Sequence, residues 1–189
     1  ITSCSIYIPM FVFNSFEYFL RHQTIAKQLK LDTENKVAAV EKGFLPFFHP
    51  STLKKEIIDN IGFIPIGSLP LTRTFLCDEG YGLITYKSDR FGLRNSEKKW
   101  QNVYQQENIF LIGDSFTHGA CVENKNTIAS YIEQFLGKNT INLGVSGNGP
   151  YEYITSINLF IKPIINKTNK QNIVILNFYI IDRITIKIK

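Results

Sequence analysis

With 189 residues, 44% of them hydrophobic and 13% aromatic, the chain carries enough apolar side chain for one well-buried domain and a lead segment, which excludes an intrinsically disordered polypeptide. Its formal charge of +5 is confined to one end: from Ile161 to Lys189 six basic residues face Asp182 alone, and the rest of the chain is neutral. A basic tail on a neutral body, without a zinc-finger, helix-turn-helix or RNA-binding signature, argues against nucleic acid as a partner.

Residues 1–30 open with the apolar run Ser5 to Leu20, followed by Arg21, His22, Lys27 and Lys30. A membrane span needs about 20 apolar residues, and this run is shorter and interrupted by Pro9, Asn14 and Glu17. It therefore fits an anchor remnant or a packed amphipathic helix, and membrane attachment with an extracytoplasmic location is the expectation it supports. From 31 to 104, Pro46, Pro50, Pro65, Pro70 and several glycines favour loops and short strands over long helices. Within this lead segment Thr72–Cys77 and Leu83–Tyr86 read as strands, and Asp78 to Gly82 between them is turn chemistry, which predicts a hairpin. The stretch Ser88 to Asn95, taken alone, reads as a surface turn.

After Glu107 apolar strand patterns at Ile109–Ile112, Thr140–Leu143 and Ile173–Phe178 alternate with two helical patterns, a βαβαβ order. The first helix places Ile128, Tyr131, Ile132, Phe135 and Leu136 at the spacings of one face, with an N-cap at Asn126 or Thr127 and a stop at Gly137. The second starts with Pro150 in its first turn and runs to about Lys162, ahead of Pro163. Right-handed crossovers between parallel strands bring the strand ends to one edge, so Ser115, the loop Gly144 to Pro150 and the segment Ile180 to Asp182 should converge. Cys4, Cys77 and Cys121 are odd in number and widely spaced; they give neither a disulfide framework nor a zinc site, and Cys121 reads as a small buried apolar side chain.

The step Gly113-Asp114-Ser115 after one strand, followed by Asn142-Leu143-Gly144-Val145-Ser146-Gly147 after the next, resembles the first two blocks of the SGNH, or GDSL, hydrolases. The strings Tyr86 to Asn95, Gly113 to Val122 and Gly144 to Pro150 are similar to a bacterial branch of that superfamily whose members often begin with a hydrophobic segment. The resemblance covers roughly residues 40 to 179 and implies an α/β fold, a three-layer α/β/α sandwich around a parallel, flavodoxin-like sheet, with residues 105–189 supplying its first three strands. It implies ester chemistry with Ser115 as nucleophile and an oxyanion hole made by the Ser115 and Gly147 backbone N–H groups and an asparagine side chain. Glycine lets backbone donors approach a developing negative charge, which is what a loop such as Gly144 to Gly149 would offer. Asp114 would orient the turn. No metal or organic cofactor is implied, and the partner is an ester-bearing small molecule or an acylated carbohydrate.

Two departures qualify that expectation. Where the family has its third-block asparagine this chain has Tyr179-Ile180-Ile181-Asp182; Ile181 cannot donate a hydrogen bond, a loss that costs about a hundred- to a thousand-fold in rate, and Asn148 is the nearest candidate to compensate. The family's Asp-x-x-His does not occur, since no histidine follows His118, and a serine hydroxyl without an adjacent base is a weak nucleophile. His118, three residues after Ser115, offers itself as a substitute base, but local spacing does not establish base geometry and a loop or helix-start histidine reads rather as polar surface. The strand-like run Arg183 to Lys189 stands where further core would be expected, so the chain reads as a fragment or an altered frame, and an unfinished sheet edge predicts self-association. The functional expectations are a serine esterase lacking its C-terminal part, a noncatalytic ligand-binding domain of the same fold, or an O-acyltransferase acting on a polysaccharide.

Overall fold

The computed structural model of the chain describes residues 34–49, 67–79 and 82–177. The apolar run Ser5 to Leu20, Cys4, His22, the segment Ile180 to Asp182 and the run Arg183 to Lys189 lie outside the described residues. The protein mixes helices with small sheets and divides into two units, Ile1–Glu97 and Lys98–Lys189. Among the described residues no helix is long and apolar enough to cross a membrane.

In the first unit a short helix, α1 (Glu34–Glu41), leads into strand β1 (Leu45–Pro46). Strand β2 (Arg73–Phe75) pairs antiparallel with β3 (Thr85–Lys87) in the register Arg73↔Lys87, Thr74↔Tyr86, Phe75↔Thr85. That is the hairpin read from the sequence, its strands shorter than expected; the parallel pairing of β1 on β2 was not legible there. The segment read as a surface turn is instead core. Ser88, Asp89, Leu93, Arg94 and Asn95 are buried, because the Asp89 carboxylate accepts the Phe91 and Leu93 N–H groups and the Asn95 side-chain amide, all within 3.0 Å. A carboxylate satisfied by three donors tolerates burial that a bare one would not. Gly92 and Gly67 let this loop touch the backbone of residues 67 and 68: a Cβ on Gly92 would lie 1.9 Å from the Ser68 carbonyl oxygen, and one on Gly67 would lie 2.4 Å from that of Gly92.

The second unit is built on β4 (Asn108–Ile112), flanked by β5 (Asn139–Asn142) and β6 (Asn172–Leu176) in the order β5-β4-β6, both pairings parallel. Ile109, Phe110, Leu111 and Ile112 are all fully buried; since successive side chains point to opposite faces, both faces of β4 are covered. Three asparagines pin the amino ends of the strands: Asn139 Nδ2 donates to Asn108 Oδ1, and Asn108 Nδ2 donates to Asn172 Oδ1, each at 2.8 Å. These are register partners, so the polar row itself favours this alignment over a slip.

Between β4 and β5 lie a short helix α2 (Ser115–His118) and the longer α3 (Ile128–Leu136). Thr127 caps α3, its hydroxyl accepting the Ser130 N–H at 3.2 Å, and Gly137 ends it in the left-handed conformation at φ 61°. The face that α3 buries is not the one its large apolar residues suggest. Ala129 and Ile132 pack on Ile109 and Leu111, whereas Ile128, Tyr131, Phe135 and Leu136 are exposed, Phe135 by 82%. The small Ala129 permits close approach to the sheet, and the bulky stripe is left outside.

Helix α4 (Pro150–Ser156) starts as expected, with Pro150 in its first turn and the Glu152 carboxylate accepting the Gly149 N–H at 2.9 Å. The helix does not stop before Pro163. It widens into a π-helical turn (Ile157–Ile161), closed by the Lys162 N–H on the Ile157 carbonyl, and continues as α5 (Lys162–Ile165) with Pro163 in that segment's first turn. A widened turn relieves the clash that a proline makes in a regular helix interior.

Candidate functional site

The site grows from the carboxyl ends of β4 and β5. Gly113 follows directly on β4, Asp114 accepts the Phe116 N–H through its side chain at 3.0 Å, and Ser115 is the first residue of α2. Asp114 is thereby engaged in shaping the turn. Gly119 closes α2 in the left-handed conformation, and the Gly119 and Ala120 N–H groups both reach the Ser115 carbonyl. Ser115 is half-buried, and its Oγ makes no hydrogen bond among the described residues.

Thr117 holds this turn to the carboxyl ends of the two outer strands. Its carbonyl accepts from Asn142 Nδ2 at 2.8 Å and its hydroxyl accepts from Asn177 Nδ2 at 3.0 Å. Asn177 stands one residue beyond β6, its N–H on the Ile112 carbonyl, so it is not inside the strand as the sequence pattern suggested. Two glycines make room: a Cβ on Gly113 would come within 2.1 Å of Thr117 Oγ1, and one on Gly144 within 2.6 Å of Thr117 Cβ and 2.7 Å of the His118 nitrogen.

The loop after β5 docks on the same turn. The Val145 N–H donates to the Gly113 carbonyl at 3.2 Å, and Ser146 meets the His118 ring, with Oγ 2.8 Å and the backbone nitrogen 3.2 Å from Nδ1. His118 is buried, not polar surface as read from its loop position. Because the Ser146 N–H points at Nδ1, that nitrogen carries the lone pair and the neutral ring holds its proton on Nε2, an assignment made from the hydrogen bonds. Gly147 is exposed with φ 93°, a conformation that favours glycine, and its N–H makes no hydrogen bond among the described residues. Asn148 is buried; its N–H donates to the Val145 carbonyl, and its own carbonyl accepts from the Tyr153 hydroxyl at 3.3 Å.

The turn bearing Asp114 and Ser115 and the loop bearing Gly147 and Asn148 are thus tied together through Gly113, Val145, His118 and Ser146. Sequence reasoning missed the Ser146–His118 contact and the Thr117 hub. The signal for the hub was present: glycines just past two strand ends, with a β-branched residue four positions after the first. Cys121, six residues past Ser115, is disulfide-bonded and not the small buried thiol expected; Cys77, in the first unit, is disulfide-bonded as well. Among the described residues no group of three His, Cys, Asp or Glu side chains is placed to hold a metal ion. Compared with known proteins, the chain matches no family model, no curated sequence and no solved structure.

Proposed function

We propose that the chain carries the core of a serine hydrolase of the SGNH or GDSL type, acting on an ester bond of an acylated small molecule or carbohydrate, on a three-layer α/β/α sandwich. Strand order supports the fold. From β4 the chain crosses to β5 on one side, and from β5 it crosses back over β4 to β6. Right-handed crossovers then put α3 and the α4–α5 helix on opposite faces, and in a sheet of this order the switch point lies between the carboxyl ends of β4 and β6. Crevices at such points are where open α/β sheets bind ligands.

The observation that carries the chemistry is Ser115: half-buried at the carboxyl end of the central strand, its Oγ uncommitted, beside a loop whose Gly147 N–H is also uncommitted. In this reading Ser115 Oγ attacks the ester carbonyl, and the Ser115 and Gly147 N–H groups stabilise the oxyanion. The test is fluorophosphonate labelling mapped by peptide mass spectrometry. An adduct on Ser115 that disappears in Ser115→Ala is expected; a folded chain unlabelled at Ser115 overturns the nucleophile assignment. One observation favours a second reading, a noncatalytic ligand-binding domain: among the described residues nothing accepts the Ser115 hydroxyl proton. Saturable binding of an acylated carbohydrate without turnover would support it.

A further inference from the structure

Ser146 and His118 make a closer approach to nucleophile chemistry than Ser115 does. Ser146 Oγ lies 2.8 Å from His118 Nδ1, within the reach a general base needs, and the hydroxyl is partly open to solvent while the imidazole is buried. The Ser146 backbone N–H fixes the ring so that the Nδ1 lone pair faces residue 146. The residue after Ser146 is Gly147, exposed at φ 93° with an unengaged N–H; a backbone N–H directly after a nucleophile is a common oxyanion donor. By contrast, the N–H directly after Ser115, that of Phe116, is occupied by the Asp114 carboxylate.

We propose that Ser146 and His118 form a second nucleophile–base pair at this edge of the sheet, able to take an acyl group from an activated ester without help from Ser115. In the first step Ser146 Oγ bonds to the acyl carbon while its proton passes to the lone pair of His118 Nδ1, which gives up its longer bond from the Ser146 N–H. The bond from that carbon to the leaving oxygen then breaks, and the leaving oxygen takes the proton from Nδ1, giving acyl-Ser146 and a free alcohol. In the second step water attacks the acyl carbon and gives a proton to Nδ1, which returns it to Ser146 Oγ as the carboxylic acid departs. Gly147 N–H would hold the oxyanion in both steps. The pair stands on its own observations and does not depend on the Ser115 reading.

The test uses p-nitrophenyl acetate and a fluorophosphonate on the full chain, with adducts mapped by peptide mass spectrometry in the wild type, Ser115→Ala, Ser146→Ala and His118→Gln. The expected result is an adduct on Ser146 that survives Ser115→Ala and slows about a hundred-fold in His118→Gln. An adduct on Ser115 alone overturns this proposal and leaves the Ser115 reading standing, whereas an adduct on Ser146 alone does the reverse. A Ser146 adduct that His118→Gln leaves unchanged overturns the base role. Because His118 is buried and its variant could misfold, Ser146→Cys provides an independent readout with the ring intact. Its thiol should be alkylated by iodoacetamide at a pH well below the ordinary thiol range near 8.5, and alkylation only in that range overturns the pairing.

Discussion

Thr117 fills the space that two absent side chains leave. Gly113 and Gly144 have ordinary negative φ, so their need for glycine is steric: the threonine and the first amide beyond it occupy the position of a Cβ. At Gly113 the nearest obstacle is a side-chain hydroxyl, but at Gly144 it includes the His118 backbone nitrogen, which cannot rotate away. Gly144→Ala is therefore expected to destabilise the second unit by about 1–3 kcal/mol, the usual range for overpacking. Gly137→Ala, where φ is 61° and nothing lies within 4 Å, should cost only the strain of a left-handed alanine, about 1 kcal/mol. Urea unfolding of both variants checks the order, and equal losses would show that the Thr117 wedge can shift.

At the scale of elements, the turn Ser88–Asn95 folds back on β3 and closes over Tyr86. Burial pushes the Tyr86 phenol well above its ordinary value; the Arg94 guanidinium, 5.1 Å from the ring centroid, opposes that rise, and Asp89 adds to it. Burial also lowers Arg94 from its usual range. With the folded value above the unfolded one, the stabilisation is fully present below about pH 10 and is lost as pH rises beyond it, because the unfolded chain releases a proton that the folded one keeps. Urea midpoints between about pH 8 and 11 should fall more steeply for the wild type than for Tyr86→Phe; parallel curves would show that the phenol does not contribute.

The same elements show what the sequence could disclose. Caps were legible because Thr127, Gly137 and Pro150 act on backbone groups one to four residues away, whereas the cap of α2 falls on Asp114, which the sequence showed only as a turn former. The strands were legible because β4 is buried on both faces and reads as an unbroken apolar run. The face of α3 was not, since periodicity locates a stripe but not its partner, and here the contact with the sheet goes through Ala129. Nor was the burial of Asp89, which depends on donors contributed by the folded turn, or the proximity of Ser146 to His118, which only the docking of two loops creates.

At the scale of the molecule, burial is uneven across the parallel sheet. The central strand is sealed, while Ile173, Val174 and Leu176 of β6 are 37–42% exposed and the outer edge of β6 has no strand partner among the described residues. An apolar strand with an open edge is a template for another chain, and the exposed stripe of α3 adds further apolar surface. The protein is therefore expected to self-associate in size-exclusion light scattering, with Val174→Lys shifting it toward the monomer; a monodisperse wild-type monomer at high concentration would count against this. The tie at Thr117 bears on motion. One threonine accepts hydrogen bonds from asparagines beside two different strands, so the Ser115 turn cannot lift away while those bonds persist. The hydrogen-bonded amides of His118, Gly119 and Ala120 should exchange with deuterium only when the sheet opens as a cooperative unit. A ligand arriving at that edge would meet chain whose freedom was already lost in folding, leaving little ordering entropy to oppose its capture.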